Sequence, residues 1–204
     1  MGWAKNGENA GTSGYGYRIE AMKVVLVEKG AAAPDNLRSY IVLTNPLNVP
    51  IISQRPELPT GCEVTSLAMI LNYLGVNVTK IQLANEIPYH QTNPDLGFVG
   101  SPFNSYGYTI FPPALMNIME KYAGSAVNLT GSGTIGIKNS INQGKPVLVW
   151  ARLSGFYLHA VVITGYNNDG FYYNDPWTGK KNAYINNSAF NTAWNTIGNR
   201  ALSY

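Results

Sequence analysis

The chain carries one cysteine, Cys62, and two histidines, His90 and His159. Cys62 sits in the run Gln54-Arg55-Pro56-Glu57-Leu58-Pro59-Thr60-Gly61-Cys62-Glu63, directly ahead of the mostly apolar segment Val64 to Leu71. Thr60 and Glu63 have the spacing of a capping box, which predicts a helix starting at about Thr60 and running to Leu74. Cys62 then falls in the first turn, where unpaired backbone N–H groups and the helix dipole favour an anion. A thiol in that position is expected to ionise more easily than the ~8.5 of a free cysteine. The same N–H groups can hold the oxyanion formed when a thiolate attacks a carbonyl. The side-chain amide of Gln54 could reach the same oxygen. Glu63 is assigned to the cap and not to chemistry. Taken alone, a free cysteine is more often a small buried hydrophobe, and a loop glutamine is usually just solvated.

A base is the second requirement. His159 opens the apolar run Leu158-His159-Ala160-Val161-Val162-Ile163-Thr164-Gly165-Tyr166, an expensive place for a polar ring without a partner. The next apolar stretch ends in Tyr173-Asn174-Asp175-Pro176, and Pro176 forces Asp175 to be extended. Across a hairpin turning at Asn168 to Gly170, Asp175 can hold the His159 imidazole, fix its tautomer and stabilise the imidazolium. The plain alternatives are a satisfied core histidine and an Asx-turn aspartate. His90 is the rival base, but it lies in a patternless stretch with no evident orienting partner. A cysteine at a helix start, followed by His and then Asp on a sheet, is the set of groups that acyl transfer needs.

The elements that must position these residues can be read from pattern and punctuation. Tyr40 to Leu43 and Val49 to Ile52 are short strand candidates. Thr79 is placed to cap a short helix through Glu86. Residues 88–111 are rich in Pro, Gly and aromatics without a sustained period, and the aromatic loop from Tyr89 to Phe111, with Phe156 and Tyr157, is a candidate to line a cleft. Pro112-Pro113 opens a helix through Tyr122, stopped by Gly124, with Leu115, Ile118 and Met119 on its apolar face. Thr134 is expected to cap a helix through Gln143. Strands are predicted over 146–152, 158–166, 170–174 and 182–185, with a turn at Asn168-Asp169-Gly170. Ser188 is expected to cap a last helix with Phe190 and Trp194 at i and i+4. Helices first and antiparallel strands after argue an α+β fold.

Two resemblances follow. Gln54, Pro56-Glu57, Pro59, Gly61-Cys62-Glu63, Ser66 and Ala68-Met69, with Gly144-Lys145-Pro146-Val147, His159-Ala160-Val161, Gly165-Tyr166 and Asn174-Asp175-Pro176, resemble the bacteriocin-processing-like cysteine peptidases, family thirty-nine of the papain-like superfamily. The resemblance runs from about Val49 to Gly179. It implies a papain-like α+β fold, helical half before sheet half. It also implies hydrolysis of peptide or isopeptide bonds through a thioacyl-enzyme, with Cys62 as nucleophile, His159 as general base and acid, Asp175 as orienter and Gln54 as oxyanion donor. No metal or organic cofactor is implied, and the expected partner is a peptide, protein or cell-wall peptide substrate. The chain has no transporter domain, so the leader specificity of the bacteriocin exporters does not carry over, and papain-type enzymes have Asn where Asp175 stands. A transferase or deamidase using the same thiol, or an inert surface-binding module, is the alternative. The second resemblance is to the latter half of a clostridial hydrophobic (ChW) repeat. Gly2-Trp3, Asn6-Gly7, Gly11-Thr12-Ser13-Gly14 and Arg18-Ile19-Glu20 carry it, ahead of an apolar Val24 to Val27. The expected organisation is a ChW-like segment and linker over 1–33 and a peptidase domain over 34–204, the boundary lying near Gly30 to Asp35.

Composition bounds the rest. The 204 residues are 45% hydrophobic and 12% charged, about half the usual charged share, which excludes intrinsic disorder. The net charge of +3 is the balance of 14 basic against 11 acidic residues, and the basic ones are scattered, without the clustering that a nucleic-acid binder needs. No apolar run approaches the ~18 residues of a membrane span. One cysteine allows no internal disulfide, and two histidines without HExxH spacing argue against zinc. Low charge with abundant Asn, Tyr, Thr and Gly, together with the ChW resemblance, points to a secreted or surface-associated Gram-positive protein whose export signal lies upstream of Met1. Oligomeric state is left open. Leu58-Pro59-Thr60-Gly61, Asn77-Val78-Thr79, Asn128-Leu129-Thr130 and Gly131-Ser132-Gly133 are chance likenesses to sorting, glycosylation and phosphate-binding motifs.

Overall fold

A computed structural model describes residues 26–31 and 46–204. The chain divides into a unit Met1–Val42 and a unit Leu43–Tyr204. In the first, residues 26–31 form no helix or strand and contain a turn closed by Ala31 N–H donating to Glu28 O. The apolar run Val24 to Val27, which by pattern suits a strand, is therefore not strand at Leu26 and Val27. Val24, Val25, most of the ChW-like segment and Tyr40 to Leu43 lie outside the described residues.

The second unit has the expected α+β order. Helices α1 (Cys62–Tyr73), α2 (Lys80–Glu86), α3 (Pro112–Ala123) and α4 (Gly133–Asn142) come mostly before the strands. The strands β4 (Val147–Ala151), β5 (His159–Tyr166), β6 (Gly170–Asp175) and β7 (Lys180–Asn186) then precede α5 (Asn187–Asn195) and β8 (Ala201–Ser203). The two-residue strands β1 (Tyr89–His90) and β2 (Phe98–Val99) pair with each other, and β3 (Val127–Asn128) pairs with β8. The main sheet has six antiparallel strands in the order β3-β8-β4-β5-β6-β7. β3 and β8 are too short to show a period in the sequence, so pattern alone did not reveal them.

Helix α1 is the centre of the unit. Every residue from Cys62 to Leu71 is buried, because the helix lies against the β4–β5 face of the sheet with α2 and α3 packed on its other sides. It is thus buried nearly all round, polar Glu63, Thr65 and Ser66 included, and not on one stripe; Leu74, just past its end, is exposed. Gly75, at φ +84°, ends it: Gly75 N–H donates to Asn72 O and Val76 N–H to Leu71 O, a left-handed terminus that glycine adopts without strain.

Several local expectations are corrected. Helix α1 starts at Cys62 behind Gly61, without a side-chain cap. Thr60 instead donates its hydroxyl to Ser101 O and Asn104 O, fastening the 99–109 segment beside the start of the helix. Thr79 does cap α2, in a reciprocal box with Gln82. Thr134 lies inside α4, whose N-cap Ser132 makes no side-chain cap bond. Asn186, not Ser188, caps α5, accepting from Ala189 N–H. Val49 to Ile52 forms no strand. Pro50 offers no N–H for a ladder, and the segment is held by the Asn174 side-chain amide donating to Val49 O and Pro50 O. Phe190 and Trp194 do stack, with ring centroids 5.5 Å apart. No helix among the described residues is long and apolar enough to cross a membrane.

Candidate active site

Cys62, His159 and Asp175 are delivered by the three elements that meet at one end of the α1–sheet contact. Cys62 is the first residue of α1 and 8% exposed. His159 is the first residue of β5 and Asp175 the last of β6, both almost fully buried. The pairing of Val162 with Asn174 sets Asp175 diagonal to His159 on the same face of the β5–β6 ladder, a separation that side chains can bridge. His159 Nε2 and Asp175 Oδ1 are 2.8 Å apart.

Asp175 is built to stay ionised. Burial opposes its charge, but hydrogen bonds from His159 and from Ser154, the charge of His159 and the Trp177 backbone N–H together hold the carboxyl well below the usual carboxylate range. Ser154 Oγ donates to Asp175 Oδ2 at 2.6 Å, and Trp177 N–H donates to Oδ1 at 2.8 Å. The aspartate thus closes an Asx-type turn and orients the histidine at once. A carboxylate only accepts, so Nε2 carries the proton and Nδ1 is left as the basic nitrogen. Phe156 stands over the ring, centroids 5.4 Å apart, and packs edge-on against Trp177 at 5.0 Å. The Arg55 guanidinium lies over the Trp177 ring at 4.4 Å and donates to the Trp177 carbonyl. Together these rings screen the His159–Asp175 bond from water.

The thiol lies against the backbone N–H of Ala160, the residue after His159, and one turn further along α1 Ser66 Oγ donates to Ala160 O at 3.3 Å. The start of α1 and the start of β5 are therefore in direct contact, with Ala160 joining the cysteine to the strand that His159 opens. The expected ease of ionisation is overturned. Burial, first, and then the adjacent Glu63 carboxyl push the Cys62 thiol well above its ordinary value, outweighing the Ala160 and Glu63 backbone N–H groups that favour the anion. The dipole of a helix terminus acts on a charge that is largely denied water here, and desolvation wins.

Glu63 departs furthest from its expected place. It is 1% exposed and does not cap the helix. Its Oε1 accepts the buried Thr109 hydroxyl, and its Oε2 accepts from Cys62 Sγ at 3.4 Å. The Ser/Thr-x-x-Glu pattern fits a capping box by spacing, and only the contact with Thr109, far along the chain, reveals the inward turn. Ser154 was also missed; its one sequence signal is the Ser154-Gly155 pair just ahead of the histidine.

Gln54 is almost fully buried near the start of α1, but its Nε2 donates to Leu58 O at 3.2 Å and Pro59 O at 3.0 Å. Its Oε1 has no hydrogen-bond partner. His90 is not brought to this group; its Nδ1 accepts from the Thr92 and Asn93 backbone N–H groups and closes a turn. The aromatic segment does reach the site's rim. Tyr108 N–H donates to Val99 O and Val99 N–H to Thr109 O, so residues 99–109 form a hairpin-like loop, with Phe103, Tyr106 and Tyr108 exposed.

The geometry has counterparts. The chain is 34% identical over 210 residues to the uncharacterised protein YvpB of Bacillus subtilis, spanning 88% of this chain and 84% of that one. A solved structure of a candidate C39-like peptidase from Bacillus anthracis superposes with a TM-score of 0.73 at 32% identity, covering 81% of this chain and 98% of that one. Residues 1–28 match Clostridial hydrophobic W. Residues 46–202, which include all of the described helices and Cys62, His159 and Asp175, match the Peptidase_C39 like family. By that match, and by the fold it shares with the Bacillus anthracis protein, the chain belongs to the Peptidase_C39 like family.

Proposed function

We propose that this chain is a thiol peptidase that hydrolyses peptide or isopeptide bonds, with Cys62, His159 and Asp175 as its catalytic machinery. The observation that carries the reading is the join at the α1–β5 contact. The one cysteine begins a buried helix and lies against Ala160 N–H, while the neighbouring His159 is held by an ionised Asp175. His159 Nδ1 takes the thiol proton, the thiolate attacks the carbonyl carbon, and the imidazolium returns the proton to the leaving amine. Water, deprotonated by the same nitrogen, then releases the acyl group from sulfur. The Cys62 backbone N–H, free at the helix start, is the first oxyanion donor. Gln54 serves as the second by surrendering one of its two bonds to Leu58 O and Pro59 O when substrate enters. The exposed aromatics of residues 99–109, with Phe156 and Tyr157, flank the cleft.

The substrate class proposed is a peptide, protein or cell-wall peptide, met at or beyond the cell surface. The ChW match over residues 1–28 supports that location, as does the low charge of the chain. We place the functional boundary between the ChW-like segment and the peptidase domain near residue 34. The test is digestion of a mixed peptide library by the full chain, read by mass spectrometry, beside Cys62→Ala and His159→Ala. Cleavage by the parent chain that vanishes in both variants, with unchanged melting, is the expected result. Products that persist in Cys62→Ala would overturn the assignment.

A further inference from the structure

The peptidase reading uses the thiol, imidazole and aspartate but leaves unexplained a second acid sealed in the same place. Glu63 is fixed at both ends of its carboxyl group, by the Thr109 hydroxyl at Oε1 and by the Cys62 thiol at Oε2. An ionisable side chain that is 1% exposed is expensive to keep, and the capping duty that would excuse it is absent, since α1 has no side-chain cap.

We propose that Glu63 is a positioning residue that holds the proton on Cys62 in the resting enzyme, its Oε2 accepting the S–H bond until His159 takes that proton. The inference rests on the assignment of Cys62 as nucleophile. In the step itself the S–H bond breaks, its proton and no electrons pass to His159 Nδ1, and thiolate and imidazolium remain. Glu63 keeps its charge throughout. Before the step that charge disfavours a thiolate, and after it the same charge favours the imidazolium, since Glu63 and His159 interact directly. The carboxylate therefore makes proton transfer to His159 the route by which the sulfur becomes an anion, and it keeps the resting thiol poorly reactive toward oxidants and stray electrophiles.

The titratable groups that meet in this region are Cys62 and Glu63 on α1, His159 on β5 and, behind it, Asp175 on β6. The 99–109 loop adds the uncharged hydroxyl of Thr109. Burial raises the Glu63 carboxyl, while Thr109, the Glu63 and Cys62 hydrogen bonds and the His159 charge draw it back down. Thr109 thus keeps Glu63 aimed and opposes the effect of burial on its carboxyl.

The experiment is a pH titration of thiolate ultraviolet absorbance in the full chain. With one cysteine, Cys62→Ser subtracts every other chromophore. Glu63→Gln preserves shape and the acceptor for Thr109 but removes the charge. Its thiol midpoint is expected to move acidward by about one pH unit, a roughly tenfold larger thiolate fraction at any pH below the midpoint. Thr109→Val, which loosens the carboxylate, should give a smaller movement of the same sign, and it decides the matter if Glu63→Gln does not fold. In the kcat/KM profile the limb set by the thiol should move acidward, because the lost charge had disfavoured thiolate; a purely structural role predicts a lower plateau with that limb unmoved. A Glu63→Gln titration that superposes on the parent or moves alkaline overturns the proposal. The titration needs no turnover, so an inactive parent chain would sink the peptidase reading and leave this result standing. A superposed titration in a chain whose activity depends on Cys62 would do the reverse.

Discussion

His159 Nε2 and Asp175 Oδ1 lie 2.8 Å apart with both side chains nearly sealed from water, and the aspartate takes three further hydrogen bonds, from Ser154 and from the Trp177 and Thr178 backbone N–H groups. The carboxylate is therefore fixed before the imidazole is considered, and the imidazole inherits its orientation. Asp175→Asn tests how much of that orientation depends on charge. An asparagine Oδ1 can still accept Nε2–H, but it stabilises the imidazolium less and turns an N–H toward Ser154. We expect kcat/KM to fall by about 10²–10⁴-fold, as when an orienting carboxylate is neutralised in a triad. Asp175→Ala should fall at least as far. Activity within a few-fold of the parent in both variants would show that His159 needs no partner.

A second expectation concerns the loop against the helix start. A Cβ on Gly107 would run into the Thr60 hydroxyl and the Ser101 carbonyl, the groups through which the 99–109 loop is fastened next to Gly61 and Cys62. Gly107→Ala should push the loop away and destabilise the domain by about 1–3 kcal/mol. It should also lower kcat/KM more than a surface substitution such as Asn104→Ala, because Thr109 at the loop's end carries Glu63. Thermal melts and library cleavage of both variants check this, and an unchanged melt for Gly107→Ala would mean that the loop gives way freely.

How much was legible in the sequence follows from the range of each signal. The His159–Asp175 pair could be anticipated because a tight turn at Asn168 to Gly170 fixes the register of β5 and β6, and register decides which side chains become neighbours. The start of α1 was legible to within two residues. The direction in which the thiol's ionisation is displaced was not, since a helix terminus reads as electropositive in sequence while the opposing desolvation depends on packing by the sheet, by α2 and by α3. Glu63 was misread for a related reason: a capping box is a local pattern, and here a distant hydroxyl outcompetes it. The Gln54 amide faces the Leu58 and Pro59 carbonyls, an orientation that no spacing encodes.

The misread glutamate gives the last prediction, on stability. Burial raises the Glu63 carboxyl above its ordinary value, so its folded pKa exceeds the ~4.3 of an unfolded chain. A group displaced in that direction contributes stability that is fully present below about pH 4.3 and is lost as pH rises through the folded value. Above that folded value the parent chain carries a buried charge that weakens the fold, by about 1.4 kcal/mol for every tenfold weakening of the acid on folding. Glu63→Gln does not titrate and escapes that loss. Its Tm at pH 7 should exceed the parent's by about 2–4 °C per kcal/mol, and the gap should shrink as pH falls toward 4. Melting curves of the two proteins between pH 4 and pH 7.5 give the answer. A glutamine variant less stable than the parent at pH 7 would mean that the bonds from Thr109 and Cys62 outweigh the desolvation of the charge. A more stable variant with a freely ionising thiol would show instead that the domain keeps Glu63 for control of its sulfur, at the expense of its fold.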